Sequence, residues 1–335
     1  MQPNDKPHHA PGGGFRNPWP GGALSRPAGL LKWLVVDRLT KRRPPDPDAS
    51  VFPRATPAFA TPRAARDELT ITWVGHASFL LQIGGLNILT DPMWSARASP
   101  VQWAGPRRWV PPGIPFAALP PIDAILLSHN HYDHLDVGTV RALAARYPDA
   151  RWLAPLGLQA VLERWDARRV LELDWWEETR LGDVAVGCTP AQHFSSRGFG
   201  DRNRTLWCGW SLAAPARRVF FAGDSGYHPA FGAIGDRFGP FHAVLVPIGA
   251  YEPRWFMRPV HMNPEEAVLA FRDTHASRPP LPGKRAVLVG MHWGTFKLTD
   301  EAMDEPPRRV ATAWRAAGLD PADLWILAHG ETRRL

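Results

Sequence analysis

Apolar positions along this chain follow two rhythms, which alternate from residue 68 onward. Short runs rich in β-branched and aromatic residues occupy 69–74, 79–83 and 86–89, with Gly84-Gly85 as the hairpin turn between the last two. Runs of the same kind recur at 124–127, 184–188, 219–222, 243–247 and 286–289. Between them, apolar residues return at helical spacing over 137–147, 156–165, 264–274 and 308–317. The third of these has a marked start, with Asn263 as N-cap and Pro264 at the first helical position. Strands interleaved with helices predict an α/β (or α+β) class, without an internal repeat.

The first 66 residues read differently. Pro11-Gly-Gly-Gly14, Pro20-Gly-Gly22 and Pro44-Pro-Asp-Pro47 are breakers. Between them one helix is predicted over 29–43, apolar at Leu30, Leu31, Trp33, Leu34 and Leu39 and closed by Lys41, Arg42 and Arg43. The expected organisation is an irregular arm over 1–66 and one domain over 67–335. The arm is expected to pack its leucines on the domain, and its basic end also suits an anionic membrane surface.

Composition narrows the class. A chain of 335 residues with 44% hydrophobic and 21% charged residues is not disordered and buries a core without staples. Its apolar stretches fall short of the ~20 residues of a membrane span. Cys188 and Cys208 make no disulfide framework, and no apolar signal core follows Met1, so the cytoplasm is expected, with peripheral membrane contact through the arm. A net charge of +7 suits an acidic partner. No Lys/Arg stripe interleaved with aromatics is present, so nucleic acid is not the expected partner.

The chemistry sits in Ser128-His129-Asn130-His131-Tyr132-Asp133-His134, directly after the apolar run 124–127. A strand running into a tight loop aims closely spaced imidazoles and a carboxylate at one point, and that donor set suits zinc and similar divalent ions. Six residues cannot wrap one ion with all four side chains, so two ions sharing the loop is the expected arrangement. Three more candidates follow buried runs in Gly- or Pro-marked loops: His193, Asp224 and His292. Ligands at several strand ends are expected to meet on one edge of a sheet.

This H-x-H-x-D-H loop with later His, Asp and His resembles the metallo-β-lactamase superfamily. Thr72-Trp-Val-Gly-His-Ala77, Leu89-Thr-Asp-Pro92, Leu173-Asp-Trp-Trp-Glu177, Phe220-Phe-Ala-Gly-Asp224, the stretch from Ile248 to Met257 and His292-Trp-Gly-Thr-Phe296 narrow the resemblance. They are similar to the N-acylphosphatidylethanolamine-hydrolysing phospholipase D family, as is Phe15-Arg-Asn-Pro-Trp-Pro20 in the arm. The resemblance implies an αββα sandwich with an N-terminal arm and two divalent ions, zinc by donor type. It implies His129, His131 and His193 on one ion, Asp133, His134 and His292 on the other, and Asp224 bridging. The expected reaction is attack of a hydroxide held by both ions on phosphorus, releasing N-acylethanolamine and leaving phosphatidic acid. The expected partner is a phospholipid at a membrane surface, and a homodimer is allowed.

The same resemblance implies Tyr132, Gln102 and His261 as substrate contacts, with His261 also helping to protonate the leaving oxygen. Asp91 and His76 are expected behind the ligands, Asp91 orienting an imidazole. Trp33 and the aromatics of 254–257 are candidates for an apolar route. His8 and His9 are expected at a flexible start, and His228, His242, His275 and His329 receive no role. The stretch 277–284 reads as an inserted loop, and Cys208 replaces a small residue of the family pattern. The alternative is a soluble hydrolase of the same fold acting on another ester, a lactone or a phosphodiester, nucleic acid included. A non-catalytic metal scaffold is disfavoured because all seven ligand positions are filled.

Overall fold

The computed structural model describes residues 6–21, 29, 32–40, 42–45, 47–198, 200–278 and 285–335. Gly22, Leu30, Leu31 and Lys41 of the predicted arm and 279–284 of the predicted inserted loop lie outside the described residues.

Two seven-stranded sheets face each other. The first runs in the order β14 (Thr332–Arg334), β1 (Leu69–Gly75), β2 (Ser78–Ile83), β3 (Leu86–Thr90), β4 (Ala124–Leu126), β5 (Arg151–Pro155) and β6 (Val170–Leu173). The second runs β13 (Leu324–Trp325), β12 (Val287–Met291), β11 (Ala243–Pro247), β10 (Arg218–Phe221), β9 (Gly209–Ala213), β8 (Val184–Thr189) and β7 (Glu178–Leu181). Each sheet is antiparallel in its early strands and parallel in its later ones, from β3 to β6 and from β10 to β13.

The apolar runs show no polar alternation because sheet one is buried on both faces. Trp73, Phe79 and Leu81 face the second sheet, where they join Trp210, Phe220 and Phe221. Leu80, Leu89 and Ile125 point the other way, onto Val140 and Leu143 of α1 (Val137–Arg146) and Leu162 of α2 (Gln159–Glu163). On the outer face of sheet two lie α3 (Ala230–Phe238) and α5 (Pro264–Asp273), with α4 (Arg254–Met257) between them in the chain and α6 (Glu305–Ala316) packed on α5. The predicted start of α5 is a reciprocal cap: Glu266 N–H donates to Asn263 Oδ1 at 2.9 Å, and Asn263 N–H donates to Glu266 Oε2 at 3.1 Å.

Among the described residues, six strands and two helices exceed the sequence reading. Of these strands, β6, β7, β13 and β14 are sheet edges, where a strand needs no continuous apolar run. Helix α3 contains Gly232 and Gly235, poor helix formers that masked its pattern. Gly235 is required there, since a Cβ would come within 2.7 Å of the Thr274 carbonyl carbon. The single helix predicted over 29–43 is instead a π-helical stretch, Lys32–Asp37, followed by one turn, Arg38–Thr40. Among the described residues, no helix is long and apolar enough to cross a membrane.

Candidate metal centre

As the chain leaves β4, Leu127 N–H donates to Leu153 O at 2.9 Å and Ser128 N–H donates to Asp91 Oδ1 at 2.7 Å. The amides of His134 and Leu135 then both donate to the His131 carbonyl, at 3.1 and 2.8 Å. That tight turn faces His129, His131, Asp133 and His134 toward one another before Asp136 caps α1. His193 lies four residues past β8, Asp224 three past β10 and His292 one past β12. The ligands were expected on one edge of a single sheet. They come from both sheets, so the cluster closes the edge of the whole sandwich.

The donor atoms form two groups. His129 Nε2 and His193 Nε2 lie 2.8 and 3.1 Å from His131 Nδ1. His134 Nε2 and His292 Nε2 each lie 3.4 Å from Asp133 Oδ2. Asp224 Oδ2 stands between the groups, 3.1 Å from both His134 and His292, 3.8 Å from His193 and 4.0 Å from His129. Oxygen partners behind three of the rings set their tautomers. His134 Nδ1 donates to Asp91 Oδ2 at 2.8 Å, His193 Nδ1 to Val260 O at 2.9 Å, and His129 Nδ1 to Ser128 Oγ at 2.9 Å. Ser128 Oγ in turn donates to Asp91 Oδ2 at 2.6 Å. In the neutral imidazole, the form that binds a cation, each Nε2 is thereby left with its lone pair aimed inward.

Local backbone makes this convergence possible. Gly223 has φ +60, and a Cβ there would meet Cys208 O at 2.6 Å and Ser128 Cβ at 2.8 Å. His76, Asp91 and His292 hold φ values of 56, 34 and 64, a region unfavourable for residues with a Cβ.

Electrostatics favour a cation here. Burial opposes the charged form of His134, but Asp224 and Asp133 override it and raise it well above the usual imidazole range. Burial is likewise outweighed at His292, which Asp224 and Asp133 push up to about 9. Burial also opposes ionisation of Asp133 and Asp224, yet His134 and then His292 hold both well below the usual carboxylate range. His134 Nε2, His292 Nε2 and Asp224 Oδ1 are buried with no hydrogen-bond partner among the described residues. Such orphaned atoms are costly unless something binds them. Imidazole nitrogens and carboxylate oxygens in this arrangement fit divalent metal, and the two groups of donors would divide between two ions. His129, His131 and His193 would hold one, Asp133, His134 and His292 the other, with Asp224 between.

The remaining predicted residues separate. Asp91 lies behind His134 and Ser128, as described. His76 Nε2 donates to Asp133 Oδ2 at 2.8 Å, and burial, with His292 beside it, pushes that imidazole down to about 3. A ring nitrogen of His261 lies within 4.8 Å of the ligand atoms of His193 and Asp224, although no strand precedes it. Tyr132 lines the cavity above the cluster, but its hydroxyl donates to Arg197 O at 2.7 Å. Gln102 is not brought to the cluster: it is exposed, bonded to the Arg97 backbone and absent from the cavity lining.

The cavity measures about 430 Å³, with Trp33, Phe194, Phe256, Met257, Val260 and Leu298 as its apolar wall. Trp33 stacks on Phe256 at 5.3 Å and donates from Nε1 to Asp300 at 2.9 Å, while Trp255 of the same predicted aromatic stretch points outward.

Of the other histidines, His8 and His9 differ from the sequence reading, and the rest make structural contacts. His8 and His9 bond Asp174 at 2.6 and 2.8 Å, so neither marks a loose start. His275 bonds the Phe271 and Phe241 carbonyls, His242 Nδ1 accepts from Arg218 N–H, and His228 stacks on Trp19 and Phe231. His329 reaches Thr295 Oγ1 at 3.0 Å, and Thr295 Oγ1 accepts from His76 N–H at 2.8 Å, which supports His76 from behind. Sequence reasoning missed His329, Thr295 and Arg197, because each acts on loops remote in the chain.

The beta-lactamase superfamily domain matches residues 86–293. An uncharacterised protein of Mycobacterium tuberculosis is 43% identical over 286 residues, 85% of this chain and 73% of that one. A Caenorhabditis elegans protein named N-acyl-phosphatidylethanolamine-hydrolyzing phospholipase D 1 is 39% identical over 249 residues, 71% of this chain and 67% of that one. A metallo hydrolase of the archaeon Ignicoccus hospitalis shares the fold at a TM-score of 0.58 and 20% identity, over 80% of this chain and 98% of that one. The chain is a metal-dependent hydrolase of the metallo-β-lactamase fold. Within that superfamily, it belongs to the family of N-acylphosphatidylethanolamine-hydrolysing phospholipases D.

Proposed function

We propose that this hydrolase is a zinc-dependent phosphodiesterase of the phospholipase D type, cleaving N-acylphosphatidylethanolamine to N-acylethanolamine and phosphatidic acid. The observation that carries the reading is the apolar cavity of about 430 Å³ standing directly on the two ligand groups. A small polar substrate would gain nothing from a wall of Phe194, Phe256, Met257 and Leu298, whereas an acyl chain would. Two ions held by this cluster would lower the pKa of water toward neutrality and offset charge on a phosphoryl oxygen.

The chain's own residues do the rest. Asp91, Ser128 and Val260 keep the imidazoles aimed inward, which would preorganise the site for turnover. His261 brings a ring nitrogen to the cavity wall beside Asp224, and in this reading it would serve the leaving group. The turn that places Trp33 at the cavity leaves Val35, Val36 and Leu39 exposed, the last at 82%. These side chains, with Lys32 over the Trp255 ring at 4.2 Å, suit contact with a lipid surface beside the cavity mouth.

Hydrolysis of N-acylphosphatidylethanolamine in mixed micelles, with products read by mass spectrometry, tests the reading. Release of both products, abolished by a chelator and restored by zinc, is expected. No release from metal-replete protein, with turnover of a soluble ester or diester, would overturn the substrate and keep the hydrolase.

A further inference from the structure

The segment 6–21 carries Phe15-Arg-Asn-Pro-Trp-Pro20, for which the reaction chemistry supplies no role. It is clasped to the domain at Asp174. His8 reaches one carboxylate oxygen at 2.6 Å, and His9 and Lys6 reach the other at 2.8 and 2.7 Å. Two imidazoles and a carboxylate are metal-ligand types, but the Lys6 ammonium already supplies the positive charge, so this cluster reads as a clasp. Stacking reinforces it, with His8 on Trp175 at 4.2 Å and Trp19 on His228 at 4.4 Å.

From the clasp the segment runs behind the His193 loop. Phe15 N–H donates to Asn203 O at 2.8 Å, and Asn203 N–H donates to Ser195 O at 2.8 Å. Asn17 Nδ2 donates directly to the His193 carbonyl at 2.8 Å. His193 lies just past an isolated bridge, in which Gly226 N–H donates to Gln192 O at 2.8 Å, so pairing holds the peptide before it and Asn17 holds the peptide after it. Its ring is held by Val260 and its carbonyl by Asn17, two points remote from each other in the chain.

We propose that Asn17 is a positioning residue of the metal centre, holding His193 at the angle from which its Nε2 joins His129 and His131. The arm is then a working part of one ion site in addition to any part it plays at a membrane. The inference rests on reading the cluster as a two-ion centre. Loss of such a support behind a ligand costs about 10–100-fold in metal affinity.

The test uses the full chain, stripped of metal and titrated with Co²⁺ as a spectroscopic probe. Asn17→Asp keeps the size but replaces the donor with an acceptor, and it backs up Asn17→Ala should that variant fold poorly. Arg16→Ala is the control, since among the described residues the Arg16 side chain hydrogen-bonds only the Pro7 carbonyl. Asn17→Asp is expected to weaken one of two Co²⁺ equivalents by about 10–100-fold and to shift its ligand-field bands. The other equivalent and the melting temperature of the metal-free protein should match the wild type, and Arg16→Ala should change nothing. Wild-type affinity and spectrum for both equivalents would overturn the proposal. So would equal weakening of both together with a lower melting temperature, which would make Asn17 a general fold contact. Failure of the wild-type chain itself to take up Co²⁺ would instead overturn the metal-centre reading, and this inference with it.

Discussion

The Arg197 guanidinium donates from Nη1 to the Asn130 carbonyl at 2.7 Å, and the same nitrogen reaches the Leu135 carbonyl at 2.7 Å. One cation therefore ties the entry of the His loop to its exit, while its Cζ lies 4.0 Å from the centroid of the Tyr132 ring. Lysine has a single ammonium on a flexible stem and does not reproduce a stacked, planar donor. Arg197→Lys is expected to weaken metal binding by about 10–100-fold, as changes behind metal ligands do. Titration of the metal-free variant checks this, and unchanged affinity would remove Arg197 from the site's support.

Asp224 stands between the two ligand groups with one oxygen shared and the other without a hydrogen-bond partner among the described residues. Asp224→Asn removes the charge that faces both groups. Activity should fall by more than the roughly 100-fold that outer contacts cost, and one metal equivalent should be lost. Metal content measured beside turnover decides it; two retained ions at full activity would contradict the bridging role.

Asp91 takes three contacts at once, from Ser128 N–H, Ser128 Oγ and His134 Nδ1. Asp91→Ala would free the His134 tautomer. A drop of about 10–100-fold in metal affinity is expected. A variant that binds metal normally would show that the loop backbone alone orients the ring.

Gly223→Ala tests the backbone route to Asp224. The left-handed conformation alone costs a residue with a Cβ about 1–2 kcal/mol. The new Cβ would also press on Cys208 O and Ser128 Cβ, at 2.6 and 2.8 Å. Both the melting temperature and the activity should fall, and a variant with neither change would show that the loop has room to shift.

The Asp174 clasp gives a signed pH dependence. Burial opposes ionisation of this carboxyl, but His8 and Lys6 override it and hold it below the usual range. A depressed carboxyl stabilises the fold above its unfolded value, about 3.9, and that contribution is lost as pH falls through the folded value. Asp174→Asn should therefore lower the melting temperature at pH 7, and the gap to the wild type should narrow below about pH 4. A gap independent of pH would mean that the packing of His8 on Trp175, and not the charge, holds the segment.

Much of this molecule is legible in its sequence. The buried strands β1 to β4, β8 and β10 to β12 announce themselves as apolar runs because both sheet faces and the sandwich interior demand them. The ligand residues announce themselves because imidazoles and carboxylates follow those runs in breaker-marked loops. Edge strands such as β7 and β14 carry no such pattern, and Gly235 hides α3 because a close backbone contact, not helix propensity, selects it.

The sequence by itself determined the class of fold and the chemistry of the candidate donors, which the fold brings together. Tertiary structure alone decided that the donors come from two sheets, that Gln102 stands away from them, and that Arg197, His329 and Asn17 support them from behind. The reason is range. Periodicity and ligand spacing are local properties written within a few residues. A carbonyl held by a side chain 176 residues away depends on where the folded backbone brings the two together.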